Sequence, residues 1–287
     1  MSLRTLAALA LVAASLPAPA ADAHPFNVDD LVALRRLGEF RVSPDGGRIV
    51  YGVSTVDLAA NKRRTDLWLV NADGSGARQL THTPESEASP RWAPDGKAIY
   101  FLAKRGGETT QVFRLPLDGG EASAATALPL DVGSFEVAPD GKGLLVSLDV
   151  YPDCADLACT VDRAAAKAKE KATGRVYKEL LFRHWDEWED GLRSHVFAVS
   201  LASPAEARDV MKGLDVDCPT KPFGGDDDYA LTPDGKGVVF SAKDVGRAAA
   251  WSTNFDLFLA PLDGSAAPKK LTTNEAWDAG PVFSPDG

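Results

Sequence analysis

The chain has 287 residues, 45% of them hydrophobic and 25% charged, with a formal net charge of −10. That length supports a large core, and an acidic balance without a basic stripe excludes nucleic acid and anionic membrane surfaces as partners. The three cysteines follow no CxxC spacing and the four histidines no zinc spacing, so neither a metal nor another cofactor is expected.

Residues 1–23 read as an export signal: Arg4 is followed by an uncharged apolar run from Leu6 to Leu16, and PAPAADA offers cleavage after Ala20 or Ala23. The run is well short of the roughly 20 residues that a spanning helix needs. The expected mature protein is periplasmic or secreted, begins at residue 24, and meets an oxidising compartment. Cys154 and Cys159 enclose a short loop and are the favoured disulfide, which leaves Cys218 free and buried, although spacing alone does not fix the connectivity.

FNVDDLVALRRL at 26–37 is amphipathic, with Asn27 as N-cap and Asp30 three residues later, and predicts a short helix. A phrase then recurs: SPDG at 43–46, APDG at 93–96 and 138–141, TPDG at 232–235, and SPDG at 284–287. Its aspartates, Asp45, Asp95, Asp140, Asp234 and Asp286, stand 50, 45, 94 and 52 residues apart. A period in the forties signals an array of supersecondary units. The long interval reads as two periods with one phrase degenerate.

Within a unit, KAIYFLAK alternates in period two, and TQVFRLPLDGG ends in another Asp-Gly turn. TDLWLVNADGSG followed by ARQLTHT adds a fourth strand. Four short antiparallel strands per unit predict an all-β fold, a β-propeller of about five blades over 24–287 in an incomplete ring. The Asp of each phrase can accept from its own backbone two residues on and the Gly can take positive φ, so these aspartates are structural.

Residues 151–195 interrupt the pattern with the Cys154–Cys159 loop, a helix near 161–173 closed by Gly174, and LLFRHWDEWEDGLRSHVFAVS. Lys167, Lys169 and Lys171 make a solvated face on that helix. The insertion occupies the place of the missing phrase, and irregular loops on a rigid scaffold concentrate binding. Trp185 and Trp188 stand among Asp186, Glu187, Glu189 and Asp190. Carboxylates beside aromatic faces suit a primary ammonium group; the alternative packs both tryptophans between blades. Strand alternation would put Glu187 and Glu189 on one side, opposite Asp186 and Trp188. GGDDDY at 224–229 reads first as a solvated loop, with a calcium site as the alternative.

No catalytic residue is expected in this chain. DGSGA at 73–77 lacks the G-x-S-x-G nucleophile spacing, and GKG at 141–143 and 235–237 are hairpin turns.

Several segments together resemble the propeller part of bacterial serine peptidases of the prolyl oligopeptidase family, in its dipeptidyl peptidase and acylaminoacyl peptidase branch. They are VDDLVALRRL running into FRVSPDGGRIVY, the DLWLVNADG and ARQLT pattern, RHWDEWEDGLRSHVF, and KPFGGDDDYALTPDGKGVVF, covering residues 26 to 287. The resemblance implies a propeller that covers a C-terminal α/β-hydrolase domain of the same protein, which would supply Ser, Asp and His. It also implies a peptide substrate, and the release of dipeptides or blocked residues from peptide N-termini. On this expectation FSPDG at 283–287 is the middle of a hairpin, and the natural protein continues past it. The competing expectation is a TolB-like periplasmic propeller acting as a protein-binding module.

Overall fold

The computed structural model describes residues 24–178, 180–185, 187–284 and 286–287. The expected signal segment and Asp186 lie outside them. The chain divides into two units, Met1–Leu34 and Arg35–Gly287. In the first, helix α1 (Val28–Ala33) has a full capping box, the Asn27 side chain accepting from Asp29 and Asp30 while Asp30 accepts from the Asn27 amide. The helix stops short of its predicted end, and Arg36 already begins a strand.

The second unit is a β-propeller. Its first blade is β1 (Arg36–Val42), β2 (Arg48–Asp57), β3 (Lys62–Asn71) and β4 (Arg78–Gln79). The second is β5 (Glu87–Trp92), β6 (Ala98–Ala103), β7 (Gln111–Pro116) and β8 (Ser123–Ala124). β9 (Phe135–Val137) and β10 (Gly143–Val150) open the third. Helix α2 (Leu157–Ala168) and a two-stranded ribbon, β11 (Arg183–His184) with β12 (Glu187–Trp188), follow before β13 (Arg193–Ser200) and β14 (Ala207–Asp209) complete it. The fourth blade is β15 (Tyr229–Leu231), β16 (Gly237–Ala242), β17 (Asp256–Pro261) and β18 (Lys269–Lys270). All the pairings within these sheets are antiparallel.

This corrects the expectation of a degenerate phrase in the 94-residue interval. β10 and β13 pair directly in eight-residue register, from Gly143↔Ser200 to Val150↔Arg193. The interval is therefore one blade, its Asp140 phrase intact, with the insertion carried between its two middle strands. The inserted helix also starts earlier than predicted, at Leu157, because Asp156 caps it by accepting from the Cys159 amide (2.9 Å), and it ends at Ala168 rather than near Gly174. Cys154 and Cys159 form a disulfide; Cys218 is a buried free thiol.

The core sits between successive blades, and the period of two decides which residue goes where. On β6, Ile99, Phe101 and Ala103 pack with Val50 and Leu67 of the first blade. Its other face, Ala98, Tyr100 and Leu102, packs with Val146 and Phe197 of the third. Leu145 and Val196, on the opposite face of that third blade, meet Val238, Phe240 and Phe258 of the fourth. A middle strand is thus apolar on both faces, which is why β6 is buried throughout.

Each blade is an up-and-down meander, so turns alternate between two faces. The PDG turns join the first two strands of each blade and lie on one face. The insertion and the connections between blades lie on the other. Asp45, Asp95, Asp140 and Asp234 each accept from the amide two residues on, at 3.0, 2.9, 2.9 and 3.0 Å. The PDG face is stiff and repetitive, and the opposite face holds all the irregular chain.

Candidate functional site

On the irregular face a cavity of about 730 Å³ opens over the third blade. Two hydroxyls line it, Ser147 Oγ and Ser134 Oγ, 2.9 Å apart, and behind them Ser134 Oγ meets the buried Tyr229 OH (2.9 Å). Burial pushes the Tyr229 phenol well above its ordinary pKa, so this hydroxyl stays neutral. One wall is the ribbon, with His184, Glu187 and Trp188; the facing wall is the loop carrying Pro219, Thr220, Lys221 and Pro222.

Five carboxylates border this cavity, and four are engaged. Asp131 accepts from the Thr110 amide (2.6 Å), Asp149 faces Lys221 Nζ (3.1 Å), Glu189 pairs with Arg193 (2.7 Å), and Asp190 accepts from the Leu192 amide (3.1 Å). Glu187 alone meets no hydrogen-bond or ion-pair partner among the described residues, and it is exposed at the lip. The structure therefore separates the two glutamates that sequence placed together. The ribbon pairing continues past β12, the Glu189 amide donating to the Phe182 carbonyl (3.0 Å), and both glutamates border the cavity, but the Glu189 carboxylate turns to Arg193.

Neither tryptophan packs between blades. Trp188 stacks with Tyr177 (5.9 Å between centroids) and already carries the guanidinium groups of Arg175 (5.4 Å) and Arg183 (5.3 Å). Two resident guanidinium groups thus already lie near its ring, and the residue is still 45% exposed. Trp185 takes the ribbon turn at φ 53° and meets Phe223 edge-to-face at 5.7 Å. Lys167 is not merely solvated; its ammonium donates to the Asp190 carbonyl at 3.0 Å and braces α2 against the chain leaving the ribbon.

Sequence reasoning missed a second charged cluster, formed where innermost strands converge. Arg91 donates to Glu39 (2.7 Å) and binds Asp226; Arg41 contacts the same two carboxylates. Two of the three GGDDDY aspartates are therefore held by protein groups, Asp226 by these arginines and Asp228 by the Thr220 amide (2.7 Å). Glu136 lies beside them with its pKa raised to about 7, first by burial and then by Asp226, despite the Leu231 amide and the two arginines. A signal was present: Arg41, Arg91 and Glu136 each stand four residues before the Asp of their phrase, so the repeat delivers them to equivalent places.

Two histidine–carboxylate pairs occur among the described residues: an exposed one, His24 Nδ1 to Asp30 Oδ2 at 3.6 Å, and a buried one, His195 Nδ1 to Asp209 Oδ2 at 2.9 Å. The His195 imidazole is fully buried and its Nε2 meets no hydrogen-bond partner among the described residues.

The sequence matches no family profile. It is 34% identical over 261 residues to dipeptidyl-peptidase 5 of Porphyromonas endodontalis, covering 90% of this chain and 36% of that protein. It is 35% identical over 268 residues to dipeptidyl-peptidase 5 of Porphyromonas gingivalis, covering 89% of this chain and 37% of that protein. The chain thus spans little more than a third of the length of these relatives. Among solved structures, an acylaminoacyl peptidase in complex with Z-Gly-Gly-Phe-chloromethyl ketone superposes with a TM-score of 0.58 over 85% of this chain and 33% of its own. At 14% identity that likeness speaks for the fold alone. Sequence kinship over nine-tenths of the chain and a shared fold agree: the chain is a β-propeller related in sequence to the dipeptidyl-peptidase 5 proteins, consistent with the propeller part of a prolyl oligopeptidase family peptidase.

Proposed function

We propose that this propeller gates substrate access for an exported serine-type peptidase that releases dipeptides or blocked residues from peptide N-termini. In this reading an α/β-hydrolase domain of the same protein supplies the nucleophile, and the propeller's irregular face meets the incoming peptide. The observation that carries it is the sequence identity to two proteins named dipeptidyl-peptidase 5 along nearly all of this chain.

The cavity chemistry supports the same reading. A primary ammonium needs acceptors carrying negative charge, and Glu187 is an unpaired carboxylate at the lip of a cavity lined by two serine hydroxyls. Because Glu189 is spent on Arg193, Glu187 is the anchoring residue and Glu189 belongs to the frame. Trp188, already engaged by two arginines, shapes the wall.

The test is hydrolysis by the product of the complete reading frame. Chromogenic dipeptides with a free amine should be cleaved, and a fluorophosphonate probe should label that product but not residues 24–287 alone. Failure to cleave either free or N-blocked dipeptides would overturn the proposal, and so would covalent labelling of a serine in this chain.

A further inference from the structure

The two walls of the cavity come from different parts of the chain; Phe223 meets His184 and Trp185 of the ribbon through ring contacts, and one charged side chain, Arg193, links the two by ion pairs. Arg193, at the first position of β13, donates from Nη1 to Glu189 at the base of the ribbon (2.7 Å). Its Nε donates to Asp215 (2.8 Å), and Nη1 also reaches Asp217 (3.3 Å) on the chain leading into the opposite wall. Asp217 accepts from the Ser194 amide (2.8 Å) and approaches Lys221 (3.8 Å), so the hub continues into that wall. The ribbon is two residues per strand, all exposed; besides the aromatic contacts of Trp188 with Tyr177 and of His184 and Trp185 with Phe223, its polar struts are Lys167 on Asp190 and Arg193 on Glu189. An isolated hairpin of this size has no independent stability.

Burial alone would lower the Arg193 pKa, but the hydrogen bond with Asp215 and the charges of Asp217 and Glu189 raise it instead, so the hub stays charged. Arginine suits this place because its planar fork engages several carboxylates at once, which a lysine ammonium does poorly.

We propose that Arg193 is a positioning residue: by tying the ribbon to the 215–221 segment it sets the gap between Glu187 and the facing wall. Resting on the amine-anchoring reading above, this makes Arg193 the determinant of how well a free N-terminal ammonium is held, without itself touching the peptide.

The experiment compares Arg193→Gln, Arg193→Lys and Asp215→Asn in the product of the complete reading frame. Amide exchange is read across 183–191 and across β6 and β16. In Arg193→Gln, exchange at 183–191 should accelerate by roughly tenfold, the equivalent of one lost charge-assisted hydrogen bond, while β6 and β16 keep their protection. KM for free-amine dipeptides should rise by about the same factor with kcat little changed. Arg193→Lys should recover part of both effects. Asp215→Asn removes only the exposed arm and keeps the fold in reach should Arg193→Gln fail to fold; it should show a smaller shift in the same direction.

Unchanged exchange at 183–191 in Arg193→Gln and Asp215→Asn would overturn the proposal, as would uniform acceleration through β6 and β16 or a loss carried by kcat alone. If the unaltered protein shows no preference for a free amine, the functional reading falls by itself, and the exchange data still decide whether Arg193 joins the two walls.

Discussion

Gly141 sits against Pro94: a Cβ on this glycine would lie 3.8 Å from the Pro94 Cδ of the preceding blade. The same relation links Gly96 to Pro44 (3.9 Å), Gly235 to Pro139 (3.9 Å), and Gly287 to Pro233 (3.6 Å). Each PDG phrase is therefore both a turn and a contact with its predecessor, its proline touching the glycine of the next. Gly141 and Gly96 also hold φ near +67°, where a side chain is strained. Gly141→Ala should cost about 1–2 kcal/mol, the penalty for a left-handed residue. Gly107→Ala, with open space and no positive φ, should be close to neutral. Urea denaturation of both variants measures the difference, and equal midpoints would sink the account.

What the sequence discloses here is whatever depends on neighbours. Asp-Gly turns, period-two strands and the Asn27–Asp30 box are settled within a few residues, and they fall where the pattern puts them. The insertion misleads because an interval of 94 fits two repeats by length alone, and only the β10–β13 pairing shows it to be one blade. Partner choice is equally hidden. Nothing local distinguishes Glu187 from Glu189 until Arg193 selects one, and Arg91 finds Asp226 across 135 positions of chain.

Glu87 should be among the most sensitive charged positions. It is fully buried, accepts from Thr81 Oγ1 (2.9 Å) and Thr83 Oγ1 (2.6 Å), and pairs with Arg105, so every part of it is matched. Glu87→Ala strands a mostly buried guanidinium and should cost about 3–5 kcal/mol. Glu87→Gln keeps the hydroxyl partners and should cost less. Denaturant midpoints order the three proteins, and a Glu87→Ala variant as stable as the parent would refute this.

Glu136 predicts a pH dependence with a definite sign. Its folded pKa, about 7, lies above its ordinary value of 4.5, mainly because burial penalises the charged form. Arg41 and Arg91 are both committed to Glu39 and Asp226, so no cation is left to pair with Glu136. Between the two pKa values the unfolded chain has released the proton while the folded chain keeps it. Stability therefore falls as pH rises from about 4.5 to 7 and then levels. Glu136→Gln should flatten this slope, its stability relative to the parent growing across the window by roughly 1–3 kcal/mol. Thermal melts below, within and above that window test it, and a constant difference between the two proteins would count against it.

The last prediction separates the two ribbon glutamates by function. Glu187 is unpaired at the cavity lip and Glu189 is held by Arg193, so neutralising each should have different consequences. In the product of the complete reading frame, Glu187→Gln should lower kcat/KM for free-amine dipeptides by roughly 1.5–3 kcal/mol, the range for a hydrogen bond to a charged group. N-blocked substrates lack the ammonium and should be cleaved about as before. Glu189→Gln keeps a hydrogen-bond acceptor for an arginine that Asp215 and Asp217 still hold, so its loss should be smaller. A loss for Glu187→Gln that is equal on free and blocked substrates would mean that the ribbon only shapes the cavity. A larger selective loss for Glu189→Gln than for Glu187→Gln would mean that the anchoring carboxylate is the one paired with Arg193, and the assignment of Glu187 would be wrong.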